Sequence, residues 1–339
     1  MRVLLRTLLI LAVLVAYTGI DFPDRYGIQF PRQPGPRFDH QVRRIYIDAL
    51  DQNRPELVLL GDSSLPAAVD EDRLAELTGK GTFNIGIEGS ASAFWYLVIK
   101  NNLTAAQHKP ASVLILFRDT ILTAPGYRVE GSYFTRLDEF AYRNEPILLE
   151  RAYINLMNPL EFAAEKYWPL YGTRLETRRA MDAAVRYRLP AQFGCDQACT
   201  DEGMYQTFGG ADLEPGQLRA AIAAAEQYLY TPAQLNFKSQ VDASFLPEMI
   251  RLTKENGIQL ILVRLKSYSP GTGDFQSQAL KNYITDLEAY LTENDVPFLD
   301  FGADPRLKSE YFADPIHLNN EGRQLFTMLL ADALASIPD

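Results

Sequence analysis

The sequence predicts an α/β protein in which helices cover both faces of a parallel sheet, giving three layers. Short apolar runs, such as residues 57–60 (LVLL) and the largely apolar residues 258–265 (IQLILVRL), alternate with helical segments along the chain. Such runs are typical of strands buried on both faces, and their alternation with helices is typical of parallel sheets. The alternation stops between residues 122 and 243, where segments rich in Tyr, Phe, Arg and Glu predict a helical insertion.

The strands are predicted from apolar runs that end at glycine or polar residues. In chain order the strands, with the polar residues at their ends, cover residues 57–60, 81–89 (a strand and its turn), 111–119, 258–265 and 296–301. The helices between them have apolar residues at helical spacing and recognisable ends, such as Gly79 and Gly257. The predicted helices cover residues 70–79, 90–107, 244–257, 277–295 and 319–337.

These elements divide the chain into four predicted regions. Residues 51–121 and 244–339 form the α/β domain, and residues 122–243 form the helical insertion. Residues 22–50 form a Pro- and Gly-containing linker followed by a leading helix. Residues 1–21 form a separate hydrophobic segment at the N-terminus.

The N-terminal segment places Arg2 and Arg6 before an unbroken apolar run over residues 8–17. A positive region followed by a hydrophobic one is typical of export segments, and residues 3–20 are just long enough to span a bilayer. Because no good A-x-A cleavage site follows, we expect an uncleaved anchor. A removed signal peptide and a buried helix of a cytosolic protein are the alternatives. The expected location is the bacterial inner membrane, in a single pass, with the α/β domain on the periplasmic side.

The overall composition excludes one class of partner. Of the 339 residues, 47% are hydrophobic and 22% are charged, which is typical of a globular protein with a core. The formal net charge is −10, and no basic stripe is evident. Phosphate binding needs clustered Lys and Arg, so we do not expect nucleic acid as a partner.

The two cysteines, Cys195 and Cys199, have the spacing C-x-x-x-C. In an exported chain this spacing predicts a small-loop disulfide, with free thiols as the alternative. A metal site would need more ligands nearby, and the closest histidine in the sequence is His108. We therefore expect no metal.

Polar residues follow three of the predicted strands, at residues 61–64 (GDSS), 84–89 (NIGIEG) and 118–119 (RD). Ligands of open α/β sheets bind at these carboxyl ends of the strands. A serine nucleophile there needs a base, and the base needs an orienting carboxylate.

Only one of the three histidines is well placed as that base. His40 lies in the linker, and His108 lies at a helix end, where a surface charge explains it more simply. His317 follows Asp314 by three residues, just before the last predicted helix. This spacing lets the carboxylate of Asp314 hold the imidazole, although an ordinary polar loop would also explain the segment on its own.

Taken together, GDSS after the first strand, a glycine-bearing second turn and D-x-x-H before the last helix resemble the SGNH (GDSL-like) hydrolase superfamily. The resemblance covers residues 60–120 and 245–336, and it implies a flavodoxin-like α/β/α fold. In that family the serine after Gly-Asp is the nucleophile, which matches Ser63. The resemblance implies Asp314 and His317 as its partners, and the backbone of Ser63 with Gly86 or Gly89 as oxyanion donors.

One departure from the family pattern follows the third strand. The family usually has Gly-x-Asn-Asp there, and its Asn donates a hydrogen bond to the oxyanion. This chain has Phe117, Arg118 and Asp119 at that place. Arg118 is therefore a candidate oxyanion donor or substrate-binding residue, or else an ion-pair partner of Asp119 or Asp62. Loss of one oxyanion donor lowers the rate by about 10²–10³-fold, which favours a slow esterase, a transferase with other donors, or a binding protein.

The anchor, the α/β domain and the insertion together resemble membrane-linked SGNH proteins of polysaccharide O-acetylation, including alginate acetylation, and of teichoic-acid D-alanylation. This resemblance implies an O-acyltransferase, with acetyl as the expected group, or an esterase, acting on an exopolysaccharide or cell-envelope glycan. The implied partners are a glycan acceptor, the membrane and a membrane-bound O-acyltransferase that supplies the acyl group; no cofactor is implied. The main alternative is a non-catalytic polysaccharide-binding or assembly component that retains the fold.

Overall fold

The computed structural model describes residues 2–17, 29–38, 42–208, 227–267 and 276–337. Five strands form one sheet in the order β2-β1-β3-β4-β5, and every neighbouring pair is parallel. The strands are β1 (Leu57–Gly61), β2 (Thr82–Gly86), β3 (Ser112–Phe117), β4 (Gln259–Arg264) and β5 (Phe298–Asp300). The predicted parallel α/β sheet is confirmed. In this order β1 lies between β2 and β3, where the direction of winding reverses.

The helices alternate with these strands and also form the long segment between β3 and β4. In chain order they are α1 (Arg2–Ala16), α2 (Ile45–Asn53), α3 (Ser64–Ala68), α4 (Glu71–Thr78), α5 (Ser92–Val98), α6 (Ser132–Asp138), α7 (Pro146–Ala152), α8 (Pro159–Tyr167), α9 (Pro169–Gly172), α10 (Arg174–Ala183), α11 (Leu189–Ala191), α12 (Gln197–Phe208), α13 (Phe237–Gln240), α14 (Leu246–Glu255), α15 (Gln278–Glu293) and α16 (Asn320–Leu334). Short 3-10 or π turns lie at Ile99–Leu103, Ile121–Thr123, Ile154–Leu156, Ala184–Arg188, Gln227–Tyr230 and Ser309–Tyr311.

The apolar runs of the sequence become the buried strands because helices pack on them. All five residues of β1 are buried. On one face of the sheet, Leu59, Leu114 and Ile261 belong to a cluster that includes Phe326 and Leu330 of α16. Full burial of each such side chain contributes about 1.5–3 kcal/mol. This packing holds the start of α16 close to the sheet.

The chain divides into two compact units. One contains residues Met1–Arg37 and Tyr153–Leu218, and the other contains Phe38–Ala152 and Arg219–Asp339. The second unit holds the whole sheet. The segment predicted as one insertion, residues 122–243, contributes to both units.

The first unit contains α1 and the helices from α8 to α12. Its buried carboxylate, Glu165, accepts a hydrogen bond from the backbone of Gly35 at 2.9 Å and forms an ion pair with Arg174. Cys195 and Cys199 are joined by a disulfide just before and within α12.

The N-terminal segment differs from the sequence prediction. In the part of the chain that the structure describes, no helix has both the length and the apolar character needed to cross a membrane. The prediction of a single-pass inner-membrane anchor, with a periplasmic domain, is wrong on this finding. Residues 18–28, which include the end of the predicted anchor and the start of the predicted linker, lie outside the described residues, as does His40.

Candidate active site

The turn between β1 and α3 places Ser63 at the carboxyl edge of the sheet. Asp62 and Ser63 follow the last strand residue, Gly61, and Ser63 precedes the first residue of α3. A Cβ on Gly61 would lie 2.9 Å from the Cβ of Leu65 and 3.1 Å from the carbonyl oxygen of Leu116. Glycine therefore allows the helix to start directly against the strand end. Ser63 remains half-buried at the topological switch point of the sheet.

His317 and Asp314 lie on the loop that precedes α16. The side chain of Asn319 caps the N-terminus of this helix by accepting a hydrogen bond from its backbone. An antiparallel bridge between Phe312 and Leu318 joins the two ends of the loop that contains Asp314 and His317. Asp314 Oδ1 accepts hydrogen bonds from the backbone N–H groups two and three residues later, each at 2.9 Å. These contacts hold the carboxylate and the imidazole on the same loop.

The structure brings Ser63, His317 and Asp314 into one hydrogen-bonded chain. Ser63 Oγ lies 2.9 Å from His317 Nε2, and His317 Nδ1 lies 2.7 Å from Asp314 Oδ2. Burial opposes ionisation of Asp314, but hydrogen bonds from the His317 ring and the backbone, with the charge of His317, outweigh it and lower the pKa of Asp314. An ionised carboxylate accepts from Nδ1–H and leaves Nε2 free to accept the proton of the serine.

Asp62 has a different role from Asp314. Its Oδ1 accepts hydrogen bonds from the backbone N–H of Ser64 at 2.9 Å and from the Ser64 hydroxyl at 2.5 Å. Its Oδ2 accepts from Arg118 at 3.3 Å and lies 3.7 Å from Arg128. Burial would raise the pKa of Asp62, but Arg118, the two Ser64 hydrogen bonds and Arg128 together lower it. Asp62 thus fixes the turn, and the hydroxyl of Ser64 is bound to Asp62 rather than to the imidazole.

The two predicted oxyanion glycines lie on either side of the turn after β2. Gly86 pairs in register with Gly61, and a Cβ there would lie 2.9 Å from Cδ of Pro66 in α3. Gly89 has a positive φ of 72°, and a Cβ there would lie 2.6 Å from the ring of Tyr133. Among the described residues, none accepts a hydrogen bond from the backbone N–H of Ser63 or Gly89. Both groups are therefore available to an oxyanion.

Arg118 and Asp119 form two separate ion pairs after β3. The guanidinium of Arg118 is 1% exposed and donates to Asp62. Asp119 instead pairs with Arg264 at the end of β4, at 2.7 Å, and accepts from the hydroxyl of Tyr230 at 2.5 Å. Of the roles predicted for Arg118, the structure shows the ion pair with Asp62. The side chain does not replace the missing Asn as an exposed donor.

Three residues at the site were not predicted from the sequence. Tyr133 and Arg136 of α6 contact the turn after β2: the Tyr133 ring packs on Gly89, and Arg136 Nη1 donates to the carbonyl of Glu88 at 2.8 Å. Arg128 lies beside Asp62. All three belong to the segment predicted as an insertion, where no local pattern links them to the strand ends.

No family model and no curated protein matches this chain. Among solved structures, a GDSL-like lipase from Bacteroides thetaiotaomicron is 13% identical, with a TM-score of 0.38, over 84% of this chain and 89% of that chain. A protein whose structure is described as a platelet activating factor, from Streptococcus pneumonia, is 14% identical, with a TM-score of 0.36, over 85% of this chain and 91% of that chain. With identities this low, the function rests on the chemistry of the site itself.

Proposed function

We propose that this chain is a serine-nucleophile acyl-transfer enzyme of the SGNH type, an esterase or an O-acyltransferase. The observation that carries the proposal is the chain of contacts from Ser63 Oγ to His317 Nε2 at 2.9 Å and from His317 Nδ1 to Asp314 Oδ2 at 2.7 Å. Hydroxyl, imidazole and carboxylate in this order form the arrangement that activates a serine at neutral pH.

In the first half of the reaction, Ser63 Oγ attacks the carbonyl carbon of an ester and gives its proton to Nε2 of His317. The carbonyl oxygen takes the electron pair of the double bond and becomes an oxyanion, which the backbone N–H groups of Ser63 and Gly89 stabilise. The bond to the alcohol oxygen then breaks, and His317 returns the proton to that oxygen. The products of this half are an acylated Ser63 and a free alcohol.

In the second half, His317 takes a proton from an incoming hydroxyl group, whose oxygen attacks the acyl carbon. The acyl bond to Ser63 breaks, and the serine oxygen takes the proton back from His317. If the incoming group is water, the enzyme is an esterase. If it is a sugar hydroxyl, the enzyme is an O-acyltransferase. Asp314 stays ionised throughout and stabilises the imidazolium between the two transfers, which is consistent with the lowered pKa of Asp314.

The acceptor and the acyl group come from the family resemblance. It favours an exopolysaccharide or cell-envelope glycan as the acceptor and acetyl as the group transferred. A membrane-bound O-acyltransferase as the source of that group stays a prediction.

The test is hydrolysis of 4-nitrophenyl acetate by the purified full chain, beside the variant Ser63→Ala. We expect turnover by the wild type and a loss of at least about 10³-fold in the variant, because the nucleophile is removed. Ser309→Ala, which changes an exposed serine, is the matched control and is expected to retain full activity. A serine-reactive fluorophosphonate, located by peptide mass, is expected on Ser63 and not on Ser64.

Transfer is separated from hydrolysis by adding glycan oligomers and measuring acetylated oligomer by mass. If the wild type shows no turnover and no fluorophosphonate adduct at Ser63, the enzyme proposal is wrong and the non-catalytic alternative is favoured. Turnover with water alone as acceptor would support the esterase and exclude transfer to those oligomers.

A further inference from the structure

An open pocket of ≈ 270 Å³ lies beside the turn after β2. It is lined by residues 126–130 and Tyr133, and these side chains include two tyrosines, one arginine and one glutamate. The Tyr133 ring that faces the pocket packs on Gly89, the proposed oxyanion donor. The pocket therefore adjoins the place where a bound ester would have its carbonyl group.

The cation of this pocket, Arg128, lies against two aromatic rings and forms an ion pair with Asp62 at 3.7 Å. Its guanidinium carbon lies 4.9 Å from the ring centre of Tyr127 and 5.7 Å from that of Tyr133. Its backbone has a φ of 57°, a left-handed conformation that is uncommon for a residue other than glycine. Among the described residues, none accepts a hydrogen bond from this guanidinium. The rings and Asp62 thus orient the side chain, and its N–H groups remain available to donate hydrogen bonds to a ligand.

Asp62 lies between two cations, and of these only Arg128 lines the pocket. Asp62 carries one negative charge and faces the two cations Arg118 and Arg128, at 3.3 Å and 3.7 Å. Arg118 donates a hydrogen bond to Asp62 and is 1% exposed, whereas the Arg128 side chain is 14% exposed. Of the two cations, Arg128 is therefore the one that a ligand in the pocket can reach. Glu130 also lines the pocket, but it is exposed and forms no ion pair with a described residue.

From these contacts we infer that the pocket binds a carboxylate group carried by the ester substrate, and that Arg128 determines this specificity. A guanidinium offers two parallel N–H donors that match the two oxygens of a carboxylate. The surrounding tyrosine rings exclude water from one side of the pair and strengthen it. This inference rests on the proposed function and names a substrate class for it.

The experiment compares kcat/KM for charged and neutral esters of matched shape, with the full chain. With the carboxylate on the acyl side, the pair is 4-nitrophenyl hemisuccinate and 4-nitrophenyl butyrate. With the carboxylate on the alcohol side, the pair is 3-acetoxybenzoate and phenyl acetate. We expect the wild type to prefer the charged ester in at least one pair. In that pair, Arg128→Gln is expected to lower the charged-to-neutral ratio by about tenfold or more, since hydrogen bonds to charged groups are strong.

Two controls separate recognition from loss of structure. Arg128→Lys keeps the charge and is expected to retain part of the preference, whereas Arg143→Gln, which removes an exposed charge elsewhere, is expected to retain all of it. In the wild type, added salt is expected to lower the ratio of kcat/KM for the charged ester to kcat/KM for the neutral ester, because salt screens the attraction between opposite charges.

Three results would overturn the inference: no preference in either pair, a preference that salt leaves unchanged, or an unchanged ratio in Arg128→Gln. Turnover of the neutral esters alongside any of these leaves the proposed function standing. Absence of turnover for all four esters refutes the proposed function, and the inference with it.

Discussion

The substitution Asp314→Asn tests the catalytic arrangement without changing its shape. Asn keeps an oxygen that can accept the two backbone hydrogen bonds now made to Oδ1 at 2.9 Å. Its amide group would replace Oδ2, which lies 2.7 Å from His317 Nδ1. An amide NH₂ donates, so Nδ1 would become the acceptor and the ring proton would move to Nε2. Nε2 could then no longer accept the proton of Ser63.

The expected size of the effect follows from the contact between Asp314 and His317. Two unit charges 2.7 Å apart attract each other by about 6 kcal/mol at an effective dielectric constant of about 20, and by about 1.5 kcal/mol in bulk water. The side chains are 25% and 22% exposed, so the contribution lies between these limits. Because each 1.36 kcal/mol is a factor of about ten in rate, the loss lies between roughly 10- and 10⁴-fold. With the wrong tautomer added, we expect kcat to fall by about 10³-fold.

The assay is the kcat for 4-nitrophenyl acetate, measured for the wild type and for Asp314→Asn, with thermal unfolding to show that both are folded. Asp332→Asn, which changes an exposed aspartate of α16, is the matched control and is expected to retain wild-type kcat. The smallest loss expected, with the attraction screened as in bulk water, is about tenfold. A kcat for Asp314→Asn within about threefold of the wild type would therefore refute the assignment of Asp314 as the orienting carboxylate.

Two further predictions concern the turns around the site. Gly89→Ala and Gly79→Ala both place Ala at a left-handed φ, of 72° and 68°, which costs about 1–2 kcal/mol of stability in each. Only Gly89→Ala is expected to slow ester hydrolysis, because its Cβ would displace Tyr133 whereas that of Gly79 meets nothing within 4 Å; equal rates in the two variants would contradict this. The lowered pKa of Asp62 predicts acid sensitivity: its contribution to the free energy of unfolding is complete above the unfolded pKa of about 3.9 and is lost as pH falls through the lower folded pKa. Denaturant unfolding at several pH values measures this. In Asp62→Asn the free energy of unfolding is expected to fall less steeply with decreasing pH than in the wild type. An equally steep fall in both proteins would show that Asp62 does not cause the acid sensitivity.

Apolar patterning made the sheet predictable. The largely apolar residues 258–265 become β4 (Gln259–Arg264), because near-continuous apolar runs are typical of strands that are covered on both faces. Helix ends were less predictable where a side chain had another partner. Ser90, the first residue of the helix predicted over residues 90–107, donates instead to the carbonyl of Gly61 at 3.0 Å, and the helix begins at Ser92.

The contacts of the site were only partly predictable. The sequence indicates which residues lie at the same edge of the sheet, but not which of their side chains form pairs. The sequence placed Ser63, His317 and Asp314 at one edge through their order and spacing. For Arg118 the sequence allowed an ion pair with either Asp119 or Asp62. In the folded sheet Asp119 pairs with Arg264 of the neighbouring strand β4, and Arg118 pairs with Asp62. Arg128 carries no local pattern, since its contact with Asp62 spans 66 residues (128 − 62).

The position of Arg118 also determines what the site offers to an oxyanion. Its guanidinium is buried and hydrogen-bonded to Asp62. To reach a substrate it would have to break this buried ion pair and leave Asp62 with the more distant Arg128, at 3.7 Å. Breaking a buried pair costs about 3–5 kcal/mol. In the proposed mechanism, stabilisation of the oxyanion therefore falls to the backbone N–H groups of Ser63 and Gly89, without the side-chain amide of the family pattern. One donor fewer lowers kcat by about 10²–10³-fold, so the site should acylate readily only from activated donors. An acceptor hydroxyl held beside Ser63 would then compete well with water for the acyl group, which favours transfer wherever such an acceptor binds.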